Sequence, residues 1–122
     1  MSTRAQVRFA TREEGVSFSK HPEKINAQFY KHHDGYPEGL GVDIAESLLY
    51  GKKIQGWEVE SFDEKHSDLE YIYYIWQKGL SSWISIFEIS WPWCECCENY
   101  TQKDTCIFVG KPSDLINKYK ND

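Results

Sequence analysis

The chain predicts an α+β fold: a mostly antiparallel sheet of five or six strands with two helices packed on one face, in a single domain over residues 1–122. Three observations carry that expectation. Apolar and polar residues alternate with period two in several short segments. One segment changes to helical spacing between a proline and a glycine, and a second short helix opens at another proline. The composition, 40% hydrophobic and 16% aromatic, suffices for one core.

In chain order, Thr3 to Ala10 sets Arg4, Gln6 and Arg8 against Ala5, Val7 and Phe9, the pattern of a half-buried strand. Glu13-Glu14-Gly15 reads as a turn and Val16 to Ser19 as a short return strand. Pro22 disfavours helix at His21, so Ser19 to Glu23 is loop. Ile25 to His32 alternates again and forms the next strand, and Asp34 to Glu38 is loop. From Leu40, the spacing of Leu40, Ile44 and Leu48 with Val42, Ala45 and Leu49 is amphipathic and helical. Pro37 suits its entry and Gly51 its C-terminal cap.

Ile54 to Phe62 is broken by Gly56, with Trp57, Val59 and Phe62 available to tack it under the sheet. Leu69 to Trp76 is β-branched and aromatic on both faces, the mark of a central strand. Lys78-Gly79-Leu80-Ser81 turns the chain into a strand over Trp83 to Ile89, completing a hairpin. Trp91-Pro92-Trp93 stops that strand, because proline cannot donate to a ladder. After a cysteine-rich loop, Thr105 to Val109 is a further strand. A short helix opens at Lys111-Pro112-Ser113, with Ser113 as its cap and Leu115, Ile116 and Tyr119 inward.

The net charge of −5 comes without any basic stripe, which disfavours binding to sequence-specific DNA. Glu58, Glu60, Asp63, Glu64, Asp68 and Glu70 form an acidic stretch, either a solvated face or a mimic of nucleic acid offered to a basic partner. No apolar run has signal length or the roughly 20 residues of a membrane span, so a soluble, cytoplasmic protein is expected. In that compartment the four cysteines are thiols or metal ligands rather than disulfides. Five Trp and eight Tyr exceed the needs of so small a core. The surplus either fills a flat core or meets a ligand, a partner or a second subunit, and a homo-oligomer is expected.

The segment Tyr30-Lys31-His32-His33-Asp34-Gly35-Tyr36-Pro37-Glu38-Gly39-Leu40-Gly41 concentrates the chemistry. Glycines allow close backbone approach, and a helix N-terminus offers N–H groups to a phosphate or carboxylate. Lys31 and a histidine add donors, while Tyr30 or Tyr36 can stack on a ring. Against this, Glu38 and Asp43 would repel an anion. The competing reading is structural: Asp34 caps the turn, Gly35 takes a left-handed angle and Tyr36-Pro37 packs the helix onto the sheet.

Together with Ser2-Thr3-Arg4, this segment resembles a family of small, mostly uncharacterised phage and bacterial proteins. These begin with Gly/Ser-Thr-Arg and carry an aromatic-Asp-Gly-Tyr-Pro-x-Gly-x-Gly stretch. The resemblance covers roughly the first 50 residues, up to the end of the first helical period. Lys31 stands where arginine is common, and His33 where the family has Trp or Tyr.

Cys94, Cys97 and Cys106, with His21 or His66, compose a candidate zinc set in which Cys94-x-x-Cys97 has knuckle spacing. The alternatives are free thiols at a loop tip and a redox pair. No other cofactor is expected.

The resemblance and the lack of a nucleophile signature imply a non-enzymatic phage- or prophage-type binding protein acting in counter-defence. It would sequester a small nucleotide-derived signalling ligand. The expected contacts are Arg4, Tyr30, Lys31, His32, Asp34, Tyr36, Gly39 and Gly41, with Trp83 or Trp93 stacking. The alternatives are an acidic inhibitor that blocks a host protein, and a small hydrolase or transferase using His32 or His33 as general base.

Overall fold

A computed structural model describes residues 3–12, 17, 20–22, 24–61, 66 and 69–120. The turn expected at Glu13 to Gly15, all of the expected return strand except Ser17, and Ser2, Phe62, Asp63, Glu64 and Asp68 lie outside the described residues.

Alternation gives strands β1 (Ala5–Thr11) and β2 (Lys24–Lys31), paired antiparallel. The chain then crosses one sheet face through a single π-type turn, Pro37–Gly41, and helix α1 (Val42–Tyr50). Pro37 opens the turn, and Gly51 closes α1 at φ +75°, a left-handed angle that favours glycine. Strand β3 (Trp57–Glu60) follows at the sheet edge, then β4 (Tyr71–Lys78) and β5 (Ser81–Ser90) as a hairpin. A small hairpin of β6 (Trp93–Cys94) and β7 (Asn99–Tyr100) leads into β8 (Lys103–Gly110) and helix α2 (Pro112–Tyr119).

The main sheet has six strands in the order β3-β2-β1-β4-β5-β8. Its pairs are antiparallel except β1 with β4, which run parallel and place two early-and-late strands side by side at the centre. The fold is therefore α+β with a mostly antiparallel sheet, as the residue pattern predicts.

One face of the sheet holds the main core. Ala5, Val7, Tyr73, Ile75, Ile84 and Ile86 meet Leu40, Val42, Ile44 and Ala45 from the turn and α1, and Leu115 from α2. Both helices cover this face. A bulge between Phe9 and Ala10 shifts the β1–β2 register, so that Ile25 pairs with Ala10 and packs on the opposite face.

Two local expectations are corrected. Ser113 does not cap α2: Pro112 occupies the first helical position, so Lys111 becomes the cap residue and its N–H donates to Asp114 Oδ2 at 3.3 Å. Val59 does not tack β3 inward and is 77% exposed, on the edge strand opposite Phe29 of β2. Trp57 supplies that anchor by stacking on Phe29 at 4.3 Å.

Candidate functional site on the open face

The face opposite the helices carries a polar row that runs straight across five strands. Strand registers place Glu60, Gln28, Arg8, Tyr74 and Ser85 side by side from β3 to β5. Gln6 lies two residues from Arg8 on the same side of β1, so it joins the row.

Gln6 and Gln28 are each only 1% exposed, so their amides require partners. Each amide bridges two charges. Gln6 Nε2 and Gln28 Nε2 donate to Glu60 Oε1 at 2.8 and 2.9 Å. Their oxygens accept from Arg8, Nη2 to Gln6 at 3.0 Å and Nε to Gln28 at 2.8 Å. Arg8 Nη1 donates to Tyr74 Oη at 2.8 Å. Among the described residues the guanidinium thus bonds three neutral acceptors and no carboxylate. Those three bonds orient its charge.

Beyond Tyr74 the chain of hydrogen bonds has one consistent direction. Tyr74 Oη lies 2.6 Å from His21 Nδ1, and His21 Nε2 lies 2.8 Å from Asp104 Oδ2. The carboxylate requires Nε2 to be the donor, which leaves Nδ1 to accept the tyrosine proton. Burial lowers the His21 pKa below its ordinary 6.5 against the opposing pull of Asp104, favouring this neutral tautomer. Burial likewise raises the Tyr74 pKa, partly offset by Arg8, so the hydroxyl keeps its proton.

His21 and His66 are braced in the same manner, each between a ring and a carboxylate. His21 stacks on Phe87 with centroids 4.1 Å apart. His66 stacks on Tyr30 at 3.8 Å and meets Glu60 Oε2 at 2.8 Å. Between them opens a cavity of about 380 Å³, with Gln6, Arg8, Tyr74 and Asp104 as polar walls and Ile72, Leu69, Ile89 and Trp91 as apolar ones. That volume falls within the range of small-molecule sites. A second guanidinium, Arg12, lies over Trp76 at 4.3 Å and reaches Ser85 Oγ at 3.4 Å, at the β5 end of the row.

The residues singled out from sequence are distributed differently. Tyr30 is buried on the open face, under His66. Trp83 is half-buried beside Trp76 on the same face. Arg4 precedes β1, where its carbonyl accepts from Glu70 N–H at 3.0 Å. Lys31 Nζ donates to the Gln55 carbonyl at 2.8 Å, and exposed His32 lies 3.7 Å from Glu58. Trp93 is 54% exposed on the small hairpin. The structure does not gather these groups around one pocket.

The Asp34–Gly41 stretch is engaged in packing. A Cβ on Gly35 would come within 2.8 Å of Ala5 Cβ and 2.9 Å of the Thr3 carbonyl, which Gly35 N–H already binds at 2.9 Å. Tyr73 Oη donates to the Gly35 carbonyl. Gly41 lies against Tyr73, Ile86 and Leu115, and Gly39 lies under the Tyr36 ring. The left-handed angle expected at Gly35 falls instead on Asp34, at φ +57°, whose carbonyl accepts from Leu40 N–H at 3.2 Å. Gly35 is needed for close approach rather than for its angle. The recess beside Tyr36 is lined by Glu70 and Glu88, which would repel a phosphate.

The cysteine set is corrected too. The clustered sulfurs are those of Cys94, Cys96 and Cys97. Cys106 lies on β8 with its thiol directed at the Phe108 carbonyl, and His21 and His66 are held by Asp104 and Glu60. Hydrogen bonds from the Cys96 thiol and the Cys97 backbone lower the Cys94 pKa to about 7.

The sequence pattern marked Gln6, Arg8 and Gln28 only as the polar side of strands, Glu60 as part of an acidic stretch and Tyr74 as part of an apolar strand, and it did not single out Asp104. The alternation of Gln6 and Arg8 with Ala5, Val7 and Phe9 is visible in the residues, but the doubly apolar strand beside them is set only by the long-range β1–β4 pairing. Polar groups facing such a neighbour are covered, and covered polar groups form networks. The chain matches no protein-family model, no curated protein and no solved structure.

Proposed function

We propose that the protein is a non-enzymatic, phage-type binding protein that captures a small nucleotide-derived anion in the open-face cavity, in the service of counter-defence. The observation that carries this reading is Arg8, a guanidinium held in place by three neutral acceptors at the wall of a 380 Å³ cavity. An anionic group supplies the charge that those acceptors do not, through the forked geometry arginine offers. Trp91, 45% exposed at the cavity wall, offers a stacking surface for a base. The phage setting rests on the Ser-Thr-Arg and Asp-Gly-Tyr-Pro resemblance, whose glycines then serve the fold.

Native mass spectrometry with a nucleotide panel tests the reading and reports the assembly size together with it. The expected result is one retained ligand per chain, with affinity at least tenfold lower in Arg8→Gln. Binding that ignores this substitution, or no retention at all, contradicts it. Capture in a cavity also survives added salt far better than the acidic-surface inhibition of a host protein.

The Asp104–His21–Tyr74 chain favours one second reading, a hydrolase or transferase in which neutral His21 draws the proton from Tyr74. Turnover of the same panel that disappears in His21→Asn would support it; retention without turnover supports the binding protein.

A further inference from the structure

The β6–β7 hairpin is a short, closed unit standing apart from the main sheet. Trp93 pairs with Tyr100 and Cys94 with Asn99, and the Trp93 and Tyr100 rings meet edge to face at 5.2 Å. Below them Thr101 N–H donates to the Pro92 carbonyl at 3.2 Å, and Asn99 Oδ1 accepts from Tyr100 N–H at 2.8 Å. At the tip, Glu98 takes φ +50°, which completes the reversal within four residues. That tight reversal brings three cysteines of one turn together.

Their sulfurs all lie within 4.8 Å of one another, with Cys94 and Cys96 at 2.8 Å and Cys96 and Cys97 at 3.7 Å. In a tetrahedral zinc–thiolate centre, metal–sulfur bonds of about 2.3 Å separate the sulfurs by about 3.8 Å. The Cys96–Cys97 pair already stands at that separation, and Cys94, closer to Cys96 at 2.8 Å, reaches it by opening about 1 Å at the exposed hairpin tip. The cluster is accessible at the hairpin tip, so an ion can enter without opening the core. Among the described residues no histidine or carboxylate belongs to the group, so the donor set is all sulfur, which selects thiophilic ions over magnesium or calcium.

We propose that Cys94, Cys96 and Cys97 bind one thiophilic ion of the zinc class, with the fourth coordination position left to water or an external donor. As each sulfur bonds the ion its thiol proton passes to solvent, so a divalent ion and three thiolates leave one net negative charge on the metal centre itself. The site is independent of the open-face cavity and of the ligand proposed there.

Cd²⁺ titration of the reduced 122-residue chain tests the assignment. The expected result is a sulfur-to-cadmium charge-transfer band that saturates at one ion per chain and is competed by Zn²⁺. Cys94→Ser, Cys96→Ser and Cys97→Ser should each weaken uptake tenfold or more, while Cys106→Ser leaves it unchanged. The hairpin lies outside the main sheet, and circular dichroism checks that each variant keeps its fold. Absence of the band in a chain with four reactive thiols overturns the proposal. So does equal loss of uptake in Cys106→Ser.

Discussion

The two faces of the central sheet are built from the same strands and both bury apolar residues. The face away from the helices adds an extended polar network to its apolar cluster of Leu69, Ile72, Trp76, Phe87 and Ile89. Toward the helices, Val7, Tyr73, Ile84 and Ile86 interlock with Leu40, Ile44 and Leu115, and almost every side chain is spent on packing. Toward the open side, Gln6, Arg8, Gln28 and Tyr74 interlock by hydrogen bonds whose geometry is directional. Packing tolerates small displacements at modest cost, whereas an imperfect buried polar network leaves groups unsatisfied. Two buried amides placed between a guanidinium and a carboxylate hold opposite charges apart. A fold in need of stability alone is better served by apolar residues there. The difference sets a helix-covered apolar core on one face against a directional polar network on the other.

Substitutions can break that division. The largest effect belongs to the helix face: Ile86→Ala, at a fully buried site, should cost about 2–5 kcal/mol in urea unfolding. Its ligand affinity should be unchanged wherever the variant remains folded.

A smaller effect on stability, with a distinctive pH signature, belongs to His21. Its pKa is depressed by burial, with Asp104, Tyr74, Arg8 and Arg12 as the facing groups. Because the folded chain resists protonation, the unfolded chain binds the proton first as pH falls. The stability contributed by the neutral imidazole is complete above about 6.5, the ordinary histidine value, and is lost as pH falls through the lower folded value. Thermal unfolding from pH 7.5 to 5 should show this decline in the parent chain and a flatter profile in His21→Gln; equal slopes refute it. The smallest effect is at the edge strand, where Val59→Thr should change stability by about 0.5 kcal/mol or less in the same unfolding assay.

Much of the architecture was legible in the residues because it follows from local periodicity. The period-two segments became β1 and β2, the doubly apolar Leu69–Trp76 run became the central β4, and Pro37 and Gly51 bracket the first helical region. The parallel β1–β4 pairing was not legible, since it joins segments more than sixty residues apart and neither carries a sign of its neighbour. The site was hidden for the same reason. Arg8 becomes informative only when Gln28, Tyr74 and Gln6 surround it, and three strands supply those partners. The glycine-rich stretch shows the converse: its special residues are explained by close approach to Ala5, Tyr73 and Leu115.

The most direct test of the proposed recognition face follows backbone amide shifts while a retained nucleotide is titrated into the labelled chain. The account predicts the largest perturbations at Gln6, Arg8, Tyr74 and Asp104, with the Asp34–Gly41 stretch nearly silent. Perturbations centred on Lys31 to Gly41, with the Arg8 row unmoved, would contradict it and return the ligand to the glycine-rich turn.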